Sequence, residues 1–183
     1  MRRTMLLLAT MALTLLVASG VALAITKIGT DGTDTLRGTN GADQLVGKGG
    51  NDILLALAGD DTLLGGPGKD ILFGGSVAEP FGGNKNLVGG DGNDFMNDGE
   101  SVRPAAKATI SGGDGNDVID VLNKPAGKDV VSCGSGVERV LADRADVVAP
   151  ECERVFVGEG KIDAYFASIP ASFFPGLAPL PEG

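Results

Sequence analysis

GGDGNDFMN spans residues 89–97, and GGDGNDVID spans residues 112–120. Each block has glycine at positions 1, 2 and 4, aspartate at positions 3 and 6, and a large apolar residue at position 8. Five further blocks run without a break over residues 29–73: GTDGTDTLR, GTNGADQLV, GKGGNDILL, ALAGDDTLL and GGPGKDILF. Position 4 is Gly, position 6 is Asp and position 8 is Leu in all five. Seven blocks in one frame indicate a repeat architecture.

The composition of each block predicts a short turn followed by a short strand. Six glycine-rich residues end at the aspartate, and three residues with an apolar centre follow them. Glycine permits the positive φ angles of a tight turn, and the middle side chain of an extended tripeptide faces away from its neighbours. Stacked coils of two blocks each would form two parallel sheets with position 8 packed between them. Such coils are expected to be right-handed, with neighbouring strands about 4.8 Å apart.

Two longer stretches interrupt the frame. Residues 74–88 number 15 and carry Leu87 in the core position, and residues 98–111 number 14 and carry Ile110 there. Each stretch is interpreted as one half-coil with a swollen turn. The alternative is that each is a full coil, which would exchange the edges of the later turns.

As half-coils, the blocks sort their turns onto two edges of the solenoid. Edge B carries turns 38–43 and 56–61, after which Lys85 and Ala108 stand in the aspartate position. Edge A would remain unbroken. Its turns are 29–34, 47–52, 65–70, 89–94 and 112–117.

The nonapeptides resemble the RTX, or haemolysin-type, calcium-binding repeat family over at least residues 29–120. The resemblance implies an all-β fold, a right-handed parallel β-roll (a β-solenoid) of stacked half-coils, with calcium held between turns stacked on one edge. Calcium takes six to eight oxygen ligands, and a GGxGxD turn offers open carbonyls and a carboxylate. The implied ligands are the position-6 aspartates, with position-3 aspartates as additional candidates. They are Asp34, Asp43, Asp52, Asp61, Asp70, Asp94 and Asp117, and then Asp31, Asp91 and Asp114.

Pairing adjacent turns predicts about five calcium ions, most of them along edge A and one on edge B between turns 38–43 and 56–61. Aspartate is also an ordinary turn former, which would suffice to explain a single block. Seven carboxylates stacked one coil apart repel one another and require counter-ions. Calcium is therefore the preferred interpretation.

The frame extends beyond the seventh block. KPAGKDVVS (124–132) has Asp129 in position 6, and CGSGVERVL (133–141) has Glu138 there, where it could share a further site with Asp117 on edge A. The following residues also resemble the terminal segment of secreted actinobacterial members of this family. Cys133 and Cys152 are the only cysteines. In an exported chain they are expected to form a disulfide that clamps the C-terminal end, with intermolecular pairing as the alternative.

Charge and composition narrow the function further. The formal net charge of −9 argues against nucleic acid and anionic membranes as partners and favours cations. The chain has no histidine, the commonest general base and zinc ligand, and no GxSxG or HExxH motif, so no enzymatic activity is expected. With 30 glycines and no tryptophan, the chain without ions has a composition typical of disorder. Calcium binding is therefore expected to drive folding.

Residues 1–24, MRRTMLLLATMALTLLVASGVALA, have a basic start, an apolar run and a small-residue end, which predicts a cleaved export signal. A membrane anchor is the alternative, and the paired arginines leave the general secretory and twin-arginine routes open. The remaining predicted domains are a calcium-binding β-roll over 25–141, a disulfide-bonded cap over 142–160 and a proline-rich aromatic tail over 161–183. A secreted, extracellular protein with no membrane span after cleavage is expected.

One outer face of the roll is predicted to be apolar and the other polar. The apolar face comprises Ile53, Leu55, Ile71, Phe73, Phe95 and Val118, and the polar face includes Gln44, Thr62, Asn86 and Thr109. The tail, which contains Tyr165, Phe166, Phe173 and Phe174, is expected either to be unstructured or to cover the apolar face, unless a cell-surface or protein partner does so. The predicted function is a secreted, calcium-binding structural or interaction module. The alternative is an adhesin or ice-binding solenoid that uses the apolar face.

Overall fold

The computed structural model describes residues 23–75, 82–99, 106–122 and 127–158, and within these ranges it has 14 strands and no helix. The strands are β1 (Thr26–Ile28), β2 (Thr35–Arg37), β3 (Gln44–Val46), β4 (Ile53–Leu55), β5 (Gly59–Pro67), β6 (Ile71–Phe73), β7 (Gly82–Asp91), β8 (Phe95–Asn97), β9 (Ala108–Asp114), β10 (Val118–Asp120), β11 (Val130–Ser135), β12 (Arg139–Ala142), β13 (Val147–Val148) and β14 (Arg154–Val157). No helix among the described residues is long and apolar enough to span a membrane.

Two predicted segments fall mostly or wholly outside the described residues. The predicted export signal over 1–24 lies outside them except for Leu23 and Ala24. The predicted tail over 161–183 lies outside them entirely. Both segments therefore stay predictions.

Odd-numbered and even-numbered strands form two separate parallel sheets. Sheet 1 has the order β1-β3-β5-β7-β9-β11-β13, and sheet 2 has the order β14-β12-β10-β8-β6-β4-β2. The pairings within both sheets are parallel. Because the chain changes sheet with every strand, each coil adds one strand to each sheet. The predicted all-β parallel solenoid is confirmed.

The position-8 residues form the core between the sheets. In sheet 2, Leu54 pairs with Leu72 and Leu72 pairs with Met96, while in sheet 1 Leu45 pairs with Leu63. All five side chains have 0% exposure. A shift of one residue would turn each of these side chains outward, so the fixed apolar eighth position sets the register of every coil.

Both interruptions of the frame are single half-coils with enlarged turns. Leu87 pairs with Leu63 on one side and with Ile110 on the other, so residues 74–88 and 98–111 each add one strand to sheet 1. In sheet 2, β8 neighbours β6 and β10 neighbours β8 with no strand inserted between them. The half-coil interpretation is confirmed and the full-coil alternative is wrong. Edge A therefore runs unbroken past both swollen turns.

The solenoid continues beyond the seventh block. Val131 pairs with Ile110, and Val140 pairs with Ile119, which confirms the core positions predicted for 124–132 and 133–141. β13 and β14 then extend both sheets by one more coil.

A disulfide joins this last coil to the one before it. Cys133 and Cys152 are bonded, with their Cα atoms 5.3 Å apart, and both belong to the buried core cluster. The predicted intramolecular pairing is confirmed. Because the bond closes a sequence separation of 19 residues, it fixes the final coil to the stack.

The apolar row on the outer face of sheet 2 is largely buried. Ile53, Ile71, Phe95 and Val118 follow one another in register across four strands. Phe95 is 1% exposed, and its ring centroid lies 5.7 Å from that of Phe73. Strands about 4.8 Å apart bring large side chains in register into mutual contact. This face therefore offers less apolar surface to a partner than its sequence suggests.

Candidate metal centre

The position-6 aspartates of edge A form a continuous hydrogen-bonded ladder. The backbone N–H groups of Asp34, Asp52 and Asp70 each donate, at 2.8 Å, to Oδ1 of the aspartate one coil further on. The N–H of Asp94 donates to Oδ1 of Asp117 at 2.9 Å, across the swollen half-coil that separates them in sequence. One oxygen of each of the four carboxylates from Asp52 to Asp117 is thus fixed by the turn of the preceding coil.

The second oxygen of four of these carboxylates has no partner. Oδ2 of Asp52, Asp70, Asp94 and Asp117 is buried and accepts no hydrogen bond. Burial raises the pKa of Asp70 and of Asp117 to about 6, and it raises the pKa of Asp94 to about 7 with a further contribution from the neighbouring carboxylates. A buried charge is costly unless it is paired. Binding of a proton or a cation at each of these oxygens would therefore remove an unpaired buried charge.

A backbone carbonyl from the next coil lies beside each of these oxygens. A Cβ placed on Gly89 would lie 2.5 Å from Oδ2 of Asp94 and 2.6 Å from the carbonyl oxygen of Gly112. On Gly112, it would meet Oδ2 of Asp117 and the carbonyl oxygen of Cys133. Glycine at position 1 thus leaves a gap between the carboxylate oxygen of its own turn and the carbonyl oxygen of the next coil. This gap is called the cradle, and any larger side chain at position 1 would fill it.

Positions 2 and 4 add carbonyls to the same edge. Gly90 and Gly92 have φ angles of 119° and 136°, a conformation that glycine adopts at little cost. A Cβ placed on Gly90 or Gly92 would collide with the carbonyl oxygen of Gly66 or Gly68, respectively, one coil earlier. Lys48 adopts the same left-handed conformation, with a φ of 79°, although it carries a side chain. The turns from residue 47 onward on edge A therefore share positive φ angles at positions 2 and 4.

The first turn on each edge is built differently. Oδ2 of Asp34 accepts hydrogen bonds from the backbone N–H of Thr30 at 2.6 Å and from its hydroxyl at 2.9 Å. These bonds lower the pKa of Asp34. Oδ2 of Asp43 is paired in the same way with the N–H and hydroxyl of Thr39. Threonine at position 2 thus supplies the donors that the later turns lack.

On edge B, Asp61 is paired with a lysine. The Lys85 ammonium forms a buried ion pair with Oδ2 of Asp61 and donates to the carbonyl oxygen of Gly59 at 2.7 Å. Of the seven position-6 aspartates, three therefore have protein partners for Oδ2 and four do not.

The position-3 aspartates stand apart from the ladder. Asp31, Asp91 and Asp114 are exposed. Oδ1 of Asp114 accepts a hydrogen bond from the hydroxyl of Ser135 at 2.7 Å. Their assignment as additional ligands stays a prediction.

Two glutamates, Glu138 and Glu153, follow Asp117 along edge A, although no hydrogen bond joins Asp117 to Glu138. Glu138 is fully buried and neither of its carboxylate oxygens accepts a hydrogen bond. Burial raises its pKa, and the neighbouring Glu153 raises it further. The N–H of Glu138 donates to Oε2 of Glu153 at 3.2 Å, so Glu153 takes the place of the next aspartate. The predicted position of Glu138 below Asp117 on edge A is confirmed by the pairing of Arg139 with Val118.

Carboxylates also return to edge B near the C-terminal end. The N–H of Ala108 donates to Oδ1 of Asp129 at 2.6 Å, and the N–H of Asp129 donates to Oδ1 of Asp146 at 3.0 Å. No sequence pattern pointed to Asp146 or Glu153, because the spacing after residue 141 departs from nine. The register of β13 and β14 places Asp146 one coil beyond Asp129 on edge B and Glu153 one coil beyond Glu138 on edge A.

The donor set of edge A suits calcium. Within the described ranges, no three or more His, Cys, Asp or Glu side chains come together in a group that could hold a metal ion. The interval between two coils instead offers a carboxylate oxygen with backbone carbonyls around it. Calcium accepts such mixtures of carboxylate and carbonyl oxygens in flexible geometry, whereas zinc and copper favour nitrogen and sulfur ligands.

The fold and its turns thus define a parallel β-solenoid with oxygen-lined cradles along one edge. Residues 28–63, 46–77, 81–101 and 109–121 match the family model of the RTX calcium-binding nonapeptide repeat, in four copies. The chain therefore carries RTX calcium-binding repeats, and the family predicted from the nonapeptides is confirmed. No curated protein and no solved structure gives a match.

Proposed function

We propose that this protein binds about four calcium ions in a line between successive turns of edge A. The carboxylate ligands would be Asp52, Asp70, Asp94 and Asp117, each with carbonyls of its own turn and of the next coil. The last of these intervals is closed by the turn that carries Glu138. The observation that carries the proposal is the row of four buried carboxylate oxygens with no partner, each beside a carbonyl of the next coil.

This assignment differs from the sequence-based estimate of about five ions in two respects. The intervals that begin at turns 29–34 and 38–43 are disfavoured because Thr30 and Thr39 already satisfy the carboxylates there. The interval below Asp117 is favoured because its Oδ2 has no partner.

Calcium would also drive folding. Without it, four carboxylate groups in adjacent coils must be buried either charged and unpaired or protonated. An ion that binds only the folded state stabilises that state by about 1.4 kcal/mol when its concentration is ten times Kd. Several such sites in one row would convert a loosely structured chain into the solenoid.

We further propose that folding takes place outside the cell. Residues 1–24 would direct export and be removed, and extracellular calcium modules work with Kd values of about 10⁻⁴ to 10⁻³ M. The protein would act as a non-catalytic structural or interaction module, with the disulfide closing the C-terminal coil. An adhesin that uses the apolar face is less favoured, because Ile71 and Phe95 on that face are only 6% and 1% exposed.

Isothermal titration calorimetry of the purified protein with calcium tests the proposal, with magnesium as the control ion. We expect about four sites for calcium and weak binding of magnesium, which demands near-ideal octahedral geometry. Circular dichroism in EDTA should show loss of β structure that returns with calcium. A protein that binds no calcium, or whose spectrum is the same in both conditions, would contradict the proposal. Peptide mass spectrometry of secreted material should identify Ile25 as the first residue.

A further inference from the structure

Lys85 reaches into turn 56–61 of edge B. Its ammonium donates to the carbonyl oxygen of Leu57 at 3.1 Å and to that of Gly59 at 2.7 Å, and it pairs with Oδ2 of Asp61. The Lys85 side chain is 4% exposed and that of Asp61 is 0% exposed. Three oxygens of a single turn thus surround one buried positive charge.

These three oxygens occupy positions 2, 4 and 6 of their block. Leu57 and Gly59 have φ angles of 79° and 111°, matching the 79° and 109° of Lys48 and Gly50 in the edge A turn 47–52. Turn 56–61 therefore resembles turn 47–52 in its backbone at positions 2 and 4. It differs from that turn in having Ala56 in place of glycine at position 1, and in that its position-6 carboxylate is paired with an ammonium rather than left without a partner.

We infer that the Lys85 ammonium is the resident cation of turn 56–61. The chain supplies its own positive charge to the oxygens at positions 2, 4 and 6 of this turn, so the turn takes up no metal ion while Lys85 is present. The two coils that Lys85 joins are consequently held together without calcium. The inference rests on the proposed function only for the identity of the ion that would enter when Lys85 is replaced.

The register explains which substitutions should open the site. Lys85 lies one coil beyond Asp61 in sheet 1, as Asp70 lies one coil beyond Asp52 on edge A. Lys85→Asp would therefore remove the ammonium and place a carboxylate at the ladder position. Ala56→Gly would remove the side chain at position 1, where the edge A turns have glycine. With both substitutions, turn 56–61 would share with those turns a glycine at position 1, an aspartate at position 6 and a carboxylate one coil further on.

Calcium stoichiometry of the full-length protein is the first test. We expect the double variant Ala56→Gly, Lys85→Asp to bind one more calcium ion than the unmodified protein by titration calorimetry and by native mass spectrometry. Ala56→Gly combined with Lys107→Asp is the matched control, because Lys107 is exposed and its substitution changes the charge equally. The control should leave the stoichiometry unchanged. Equal stoichiometry for the Ala56→Gly, Lys85→Asp variant and the unmodified protein, with native circular dichroism for both, would overturn the inference.

A double-mutant cycle provides a second test that does not depend on calcium. Lys85→Met keeps the length of the side chain but leaves Asp61 buried without a partner, and we expect a roughly hundredfold loss in the folding equilibrium constant. Combining it with Asp61→Asn should restore most of that loss, because no charge is then left unpaired. Additive effects of the two substitutions on urea unfolding would overturn the inference.

The two tests separate failure of the inference from failure of the proposed function. If the unmodified protein binds no calcium, the proposed function fails, and the cycle alone decides whether Lys85 neutralises Asp61. If the Ala56→Gly, Lys85→Asp variant does not fold, the cycle again decides. If the protein binds calcium but both tests are negative, edge A binds metal and the inference about Lys85 fails alone.

Discussion

Replacing Asp94 with asparagine should change the stability of the protein in opposite directions with and without calcium. Asparagine keeps an oxygen that can accept the hydrogen bond from the backbone N–H of Asp70, now 2.8 Å long. Its amide nitrogen would take the place of Oδ2, next to the carbonyl oxygen of Gly112, to which it can donate. The substitution therefore removes the charge and the metal ligand while preserving the ladder.

Without calcium, we expect Asp94→Asn to stabilise the fold. The pKa of Asp94 rises from 3.8 to about 7 on folding, chiefly because the carboxyl group is buried. A tenfold change in the acid dissociation constant corresponds to about 1.4 kcal/mol, so the charged carboxylate costs at most roughly 4 kcal/mol above pH 7. Solvent screening reduces this figure to about 2 kcal/mol. With calcium at a hundred times Kd, the ion stabilises the unmodified protein by about 2.7 kcal/mol, which exceeds the roughly 2 kcal/mol gained by removing the charge. The variant should then be the less stable protein by about 0.7 kcal/mol and should bind one ion fewer.

Urea unfolding followed by circular dichroism at pH 8 measures both effects. The calcium-free series would contain EDTA and an osmolyte such as TMAO, which favours the folded state. Asp60→Asn is the matched control, since it makes the same charge change at an exposed position outside the edge A turns, and asparagine can keep the hydrogen bond from the backbone N–H of Asn84. It should leave both stabilities almost unchanged. A variant that is less stable than the unmodified protein in EDTA as well as in calcium would refute the reasoning.

Three further predictions concern the cradle, the carboxylates and the disulfide. Gly89→Ala should abolish one calcium site by calorimetry, because its Cβ would lie 2.5 Å from Oδ2 of Asp94, and retention of every site would contradict the assignment. In EDTA, β structure measured by circular dichroism should increase as the pH falls from about 7 to about 4. The pKa of Asp94 is about 7 in the folded state and 3.8 is its ordinary value, so over this range the folded state binds more protons than the unfolded state and is stabilised. A β signal that decreases over the same range would contradict this prediction. Replacing Cys133 and Cys152 with serine should cost about 3 kcal/mol in urea unfolding, as expected for a loop of this length, whereas an unchanged midpoint would show that the clamp is dispensable.

Much of the fold follows from local sequence rules. The apolar eighth residue fixes which side chains face inward, and the strict spacing of nine fixes the register, so the pairing of Leu45 with Leu63 could be predicted directly. The half-coil nature of 74–88 also followed from its length, because Leu87 falls in the core position. Beyond residue 141 the spacing changes, and Glu153 and Asp146 could not be placed without the structure.

The candidate site was less predictable than the fold, because a carboxylate's role depends on its partners. Asp34 and Asp52 occupy the same position of the repeat, but only Asp52 has a buried oxygen without a partner. The difference comes from the residue at position 2, where threonine supplies donors in the first turn and Lys48 instead adopts a positive φ. Similarly, Lys85 was recognisable as a lost aspartate, whereas its ion pair with Asp61 depends on three-dimensional reach.

Anomalous scattering from crystals grown with calcium would test the central claim most directly. We predict about four peaks in a row along edge A, each beside one of the aspartates Asp52, Asp70, Asp94 and Asp117, and no peak at turn 56–61, where the Lys85 ammonium lies. Crystals of the folded protein with no calcium along edge A, or with calcium bound beside Asp61, would contradict the account.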